Sequence, residues 1–109
     1  MFGFSLGGTG VDVKEAHARL LEGGDHVLVD VRSSDEVRVQ GIRGAVNVPL
    51  DRLEQAAEQL KGYESVHIIC RSGGRSAMAT QMLHELGVAH AQNVSGGLIA
   101  WERAGLPTV

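Results

Sequence analysis

The chain has 109 residues, 43% of them hydrophobic and 21% charged, with a formal net charge of −3 and a pI of about 5.9. That length fits one domain able to bury a core without staples, and that composition excludes a disordered chain. The acidic balance argues against a general nucleic-acid or membrane-surface binder. A lone cysteine leaves no internal disulfide to form, Met1–Gly8 lacks the basic and apolar regions of a secretory leader, and no stretch approaches the roughly 20 apolar residues of a bilayer span. A cytoplasmic protein is expected.

Residues 1–10 are Gly-rich and read as a flexible lead-in to a single domain over 11–109. Asp12 is placed to cap a helix to Glu22, with Val13, Ala16 and Leu20 on one face and Gly23-Gly24 as its stop. The apolar run His26–Val31 predicts a buried parallel strand. Ser33 and Ser34 offer caps to a short helix over Asp35–Val39. Ala45–Val48 predicts a second strand, closed by Pro49, and Asp51 is expected to cap a helix whose Leu53, Ala56, Ala57 and Leu60 form a buried stripe. A third strand, Ser65–Ile69, runs directly into Cys70. After Arg71-Ser72-Gly73-Gly74 a helix is expected from Arg75 to Leu86, with Ala79, Met82, Leu83 and Leu86 inward and Gly87 ending it. A fourth strand near Ala91–Val94 leads through Gly96-Gly97 to a short helix holding Trp101, closed by Gly105 and Pro107. Alternation of this kind predicts an α/β fold, a mostly parallel central sheet flanked by helices on both faces.

Chemistry concentrates in Cys70-Arg71-Ser72-Gly73-Gly74-Arg75-Ser76, between a strand's C-terminal end and a helix N-terminus. Ligands of open α/β sheets bind at that edge. Two glycines let the backbone fold into a nest of amides, the helix adds its positive dipole end, and Arg71 and Arg75 add two charges. A thiolate at the base of such a cup is favoured over the thiol, and two pKa units of depression from the ordinary value of about 8.5 would make it the major species at pH 7. A lone cysteine ending an apolar strand is ordinarily a small core residue. Two glycines and two arginines directly after it would finish a core poorly, so Cys70 reads as a nucleophile whose loop also receives an anion. His17, His26, His67, His84 and His90 show no useful ligand spacing, and no metal site is expected.

Four segments then resemble the single-domain rhodanese-like (sulfurtransferase) family, in the right order from Val11 to Thr108. Val29-Asp30-Val31-Arg32-Ser33 with Asp35-Glu36 is similar to its Asp-Val-Arg segment, and Ile42–Pro49 to its Ile-Pro-Gly-Ala-x-Asn-Ile-Pro stretch. Cys70–Ser76 matches its Cys-Arg-Ser-Gly-x-Arg-Ser loop, and Ser95-Gly96-Gly97-Leu98 with Ala100-Trp101 and Ala104–Thr108 resembles its C-terminal signature. The resemblance implies a rhodanese-like three-layer fold and a persulfide mechanism without a cofactor. Cys70 would take sulfane sulfur from thiosulfate or a persulfide donor and pass it to a thiol, cyanide or a protein acceptor, with ping-pong kinetics. Arg71, Ser72, Gly73, Gly74, Arg75 and Ser76 would bind the donor and hold the persulfide, while Asp30 and Arg32 would brace loops. The chain departs from the family in having Gln40-Gly41 for its Gly-His and Arg43 for its Pro, which bears on substrate access.

Two rivals remain. Cysteine phosphatases and arsenate reductases look similar, but their loops place one more residue between cysteine and arginine than the four found here between Cys70 and Arg75. A sulfur-carrier or regulatory binding module acting on a partner protein would use the same loop or dispense with its cysteine. Without an obvious exposed apolar stripe, a monomer is expected.

Overall fold

The computed structural model describes residues 10–109, so all but Gly10 of the expected lead-in lies outside the described residues. Asp12 opens helix α1 (Val13–Glu22) by accepting the Lys14 amide on its carboxylate at 2.9 Å, and Val13 and Ala16 turn inward. Strand β1 (His26–Asp30) follows. Ser33 then caps α2 (Ser34–Val39) with a full capping box: its hydroxyl accepts the Glu36 amide while the Glu36 carboxylate accepts the Ser33 amide. The second strand, β2 (Val46–Asn47), is shorter than the apolar run suggests, because Val46 lies half exposed at the sheet edge.

One expected cap is wrong. Asp51 lies inside a 3-10 turn, Leu50–Arg52, and makes no capping hydrogen bond to helix α3 (Leu53–Leu60). Pro49 starts that turn, whose backbone bond from Arg52 N to Pro49 O, at 2.7 Å, takes over the side chain's task. Leu53, Ala57 and Leu60 are buried, with Ala56 packed partly beside them. Strand β3 (Ser65–Ile69) leads to α4 (Gly74–Glu85), on which Ala79 and Leu83 are buried; Met82 and Leu86 pack only partly against the core. Strand β4 (Ala91–Asn93) and helix α5 (Gly97–Arg103) complete the described chain. No helix among the described residues is long and apolar enough to cross a membrane.

The four strands pair in parallel in the order β2-β1-β3-β4, and Val11 adds a parallel bridge to Val94 beyond β4. Alternate strand residues divide the core. Val27, Val29, Val66 and Ile68 meet α3 and α4 on one face, whereas Leu28 and Ile69 meet α1, α5 and the fully buried Trp101 on the other. Trp101 donates its indole N–H to the Pro107 carbonyl at 2.9 Å, which satisfies its one polar atom. From β1 the chain proceeds outward to β2, and from β3 outward in the opposite direction to β4. The carboxyl ends of β1 and β3 therefore flank a topological switch point, where open α/β sheets bind ligands. Asp30 pairs with Ile69 at that end, so Arg32 and Cys70 emerge from adjacent strands.

Candidate active site at the Cys70 loop

Strand β3 delivers Cys70 to the switch point, and the loop from Arg71 to Gly73 curls back into the start of α4. Gly73 precedes the helix in the left-handed region, at φ +108°, a conformation that turns its amide toward the sulfur. Cys70 Sγ accepts from the Gly73 amide at 3.1 Å, the Ser76 amide at 3.3 Å and the Ser76 hydroxyl at 3.2 Å. The sulfur thus sits at the focus of a cup of donors, 1% exposed as a residue. Burial pushes its pKa up, but the Ser76 hydroxyl and the amides of Ser76, Gly73 and Ser72 outweigh that cost and leave the thiol below its ordinary value. Ser76 is itself fully buried, and its hydroxyl also lies 2.5 Å from the Asn93 side-chain carbonyl.

The arginines divide their tasks. Arg75 donates through both terminal nitrogens to the two Glu36 oxygens at 2.8 and 3.0 Å, a bidentate pair that ties the loop to α2. Held by Arg75 and by the Ser33 amide, the Glu36 carboxyl is lowered to about 2. Arg71 is exposed and, among the described residues, has no ion-pair partner. It borders a groove of about 230 Å³ with Arg32, Glu36, Val39 and Gln40. Ser72 and Gly74 are likewise exposed on the loop.

Asp30 and Arg32 form a buried pair below this groove. Arg32 donates Nε and Nη2 to the Asp30 carboxylate, with contacts of 3.0 and 2.7 Å, and Nη2 also reaches the Gln40 carbonyl at 2.7 Å. Neither side chain hydrogen-bonds the Cys70 loop. Of the two departures from the family pattern, Gln40 borders the groove beside Arg71, whereas Arg43 lies elsewhere. Arg43 lines a cavity of about 400 Å³ with His17, Leu20, Ile42 and Trp101, which none of the residues 70–76 reaches.

Sequence reasoning missed three contributors. Glu36 stood only in the segment similar to the family's Asp-Val-Arg stretch, and nothing local signals that it pairs with Arg75 across 39 positions. Asn93 carries no motif of its own. The third is the turn into α5, where Leu98 N donates to Cys70 O at 2.8 Å and Ile99 N to Arg71 O at 3.0 Å. Gly97 makes that contact possible, because a Cβ there would lie 2.6 Å from both carbonyl oxygens. The Gly96-Gly97 pair was a visible signal, read as a link between strand and helix and as part of the segment resembling the family's C-terminal signature, but not as a contact with the Cys70 loop.

Comparison with known proteins agrees with this architecture. The rhodanese-like domain family matches residues 12–104. A sulfurtransferase of Allochromatium vinosum is 34% identical over 91% of this chain and 92% of its own length. Thiosulfate sulfurtransferase 16 of Arabidopsis thaliana, a chloroplastic protein, is 36% identical over 90% of each. Among solved structures, a rhodanese-related protein from Thermoplasma volcanium superposes with a TM-score of 0.78 at 26% identity, covering 92% of this chain and 96% of that one.

Proposed function

This chain belongs to the rhodanese-like sulfurtransferase family, and we propose that it moves sulfane sulfur from thiosulfate or a persulfide donor to a thiol, cyanide or protein acceptor through a persulfide on Cys70. The observation that carries the reading is the convergence of two amides and a hydroxyl on the Cys70 sulfur at 3.1–3.3 Å. Those donors favour the thiolate, the form that attacks.

In the first half-reaction the Cys70 thiolate attacks the outer sulfur of thiosulfate. A sulfur–sulfur bond forms to Cys70, the bond within thiosulfate breaks, and sulfite leaves with its electron pair. In the second, an acceptor thiolate attacks the outer sulfur of the Cys70 persulfide and regenerates the Cys70 thiolate. Cyanide in the acceptor's place gives thiocyanate. The exposed guanidinium of Arg71 would draw the anionic donor, the loop from Ser72 to Ser76 would hold the persulfide, and Arg75 would brace the loop through Glu36. Asp30 and Arg32, buried against each other and not hydrogen-bonded to the cup, would support it structurally. A cup this tight around one atom suits sulfur better than a tetrahedral phosphate, which counts against phosphatase chemistry. A reducing compartment such as the cytoplasm suits a carrier whose thiol must stay unoxidised between turnovers.

The test is intact-protein mass after incubation with thiosulfate, native chain against Cys70→Ala. The expected result is a gain of one sulfur atom (about 32 Da) on the native chain alone, removed by cyanide or a thiol. No gain from thiosulfate or from a low-molecular-weight persulfide would overturn the reading.

A further inference from the structure

The Ser76 hydroxyl has one proton and two acceptors. On one side is Cys70 Sγ at 3.2 Å, on the other the Asn93 side-chain carbonyl at 2.5 Å. It can donate to only one of them at a time. Asn93 is held in place on β4, where its backbone is in register with Ile68 and its carbonyl accepts the Val11 amide at 2.7 Å. Its side-chain NH2 points at the Gly73 carbonyl, 3.4 Å away, which turns the side-chain oxygen toward Ser76. One asparagine thus touches both the loop backbone and the hydroxyl beneath the sulfur.

We propose that Asn93 is a positioning residue for Cys70, competing with the sulfur for the single Ser76 hydroxyl proton and so setting how readily the thiol ionises. While Cys70 is a thiol, its S–H donates to Ser76 Oγ and Ser76 donates to Asn93, a chain of hydrogen bonds with every member satisfied. When the thiol gives its proton to solvent, the Ser76 hydroxyl swings to the anionic sulfur and Asn93 loses its donor. After Cys70 has attacked a sulfane sulfur, the negative charge resides on the outer sulfur, and the hydroxyl returns to Asn93. Asn93 therefore holds the thiol back from full ionisation and favours the charged-over persulfide, in which Sγ itself is no longer anionic. The inference rests on Cys70 being the sulfur carrier.

Other ionisable groups around the cup are few. The end of β1 brings Asp30 and Arg32, bound to each other, and α2 brings Glu36, bound to Arg75. The loop adds Arg71; β4 and the first turn of α5 contribute no ionisable side chain. Substitution at Asn93 leaves all of these pairs untouched.

The experiment is the pH profile of iodoacetamide alkylation at Cys70 on the reduced full chain, which needs no sulfur donor. Asn93→Ala removes the competing acceptor and is expected to move the midpoint down by about half a unit to one unit, giving roughly three- to tenfold more thiolate below it. Asn93→Asp, nearly the same shape, keeps an acceptor and adds a negative charge, and is expected to move the midpoint up. Ser76→Ala should raise the midpoint and abolish the effect of Asn93→Ala. A midpoint unchanged or raised in Asn93→Ala, or the same downward shift with Ser76 absent, would overturn the proposal. A chain with this alkylation pattern that nevertheless gained no sulfur would refute the sulfur-transfer reading and leave the Asn93 coupling standing.

Discussion

Replacing Gly97 by alanine perturbs the cup from behind, and its cost can be worked from the structure. Gly97 sits at φ +60°, where an L side chain costs about 1–2 kcal/mol relative to glycine. A Cβ at that position would lie 2.6 Å from Cys70 O and from Arg71 O, both backbone atoms that cannot swing aside. The turn must retreat, which lengthens or breaks the bonds from Leu98 N and Ile99 N to those carbonyls, 2.8 and 3.0 Å in the native chain. Each such bond is worth about 0.5–1.5 kcal/mol net, so with the conformational cost the expected loss of stability is about 2–5 kcal/mol in total. Gly105→Ala is the control, because Gly105 has a similar φ of +76° but no atom within 4 Å of the added carbon. It should lose only the conformational part, about 1–2 kcal/mol, and the entropy that alanine removes from the unfolded chain offsets both variants alike.

Urea unfolding with linear extrapolation measures both losses on one scale. Sulfur loading at saturating donor then reads the cup, since a displaced Cys70 carbonyl shifts the amides that face the sulfur. Gly97→Ala should load several-fold more slowly and Gly105→Ala at the native rate. If Gly97→Ala cost no more than Gly105→Ala and loaded as fast as the native chain, the α5 turn would not be what clamps the loop.

The two arginines of the loop predict different behaviour. Glu36→Gln keeps an oxygen for the Ser33 amide and so preserves the α2 cap, but removes the charge facing Arg75. Because Glu36 and Arg75 are both more than a third exposed, the stability loss should stay within about 1 kcal/mol, while kcat/KM for sulfur transfer falls as the loop loosens; unchanged kcat/KM would mean the pair does not brace the loop. The pH dependence carries the same sign: a carboxyl lowered to about 2 contributes stability above its ordinary value of 4.5 and loses it as pH falls toward 2. The native chain should therefore become less stable relative to Glu36→Gln below about pH 4.5, and parallel acid-unfolding curves for the two would contradict this. Arg71→Ala should leave stability within about 0.5 kcal/mol, raise KM for thiosulfate, and flatten its dependence on salt between low and physiological ionic strength. Equal salt slopes for Arg71→Ala and native protein would remove Arg71 from donor capture.

The alternation of strands and helices, the caps at Asp12 and Ser33 and the site loop were all legible because each is written locally. Hydrophobic period, a polar cap and a glycine stop need only neighbouring residues. Asp51 misled because an acid before an apolar stripe also occurs inside a 3-10 turn, and Pro49 fixed the start of the turn one residue earlier. The short β2 misled because an apolar run does not say which strand lies at the edge. What stayed hidden around the cup depends on tertiary juxtaposition. Glu36 meets Arg75 only because α2 leaves β1 beside the end of β3, and Asn93 meets Ser76 only because β4 pairs with β3.

The largest revision concerns what lowers the Cys70 pKa. The sequence offered a nest of loop amides, a helix end and two arginines as sources of positive potential, without ranking them. In the folded chain Arg75 is paired with Glu36 and Arg32 with Asp30, and the groups that lower Cys70 most are hydrogen-bond donors, the Ser76 hydroxyl and three amides, with the Arg75 charge acting from farther off. Fixed dipoles in contact with the sulfur act over one bond length and need no reorganisation when charge appears there. A full charge on the loop would instead stabilise the thiolate at the cost of holding an anionic product more tightly. In the proposed reaction thiosulfate would bring two negative charges toward an anionic nucleophile and leave two behind on sulfite, so the mouth would need enough positive charge to draw the donor in but not so much as to hold the sulfite. Arg71, exposed at the rim with no ion-pair partner among the described residues, would meet that requirement by steering the donor inward while leaving the sulfite free to depart.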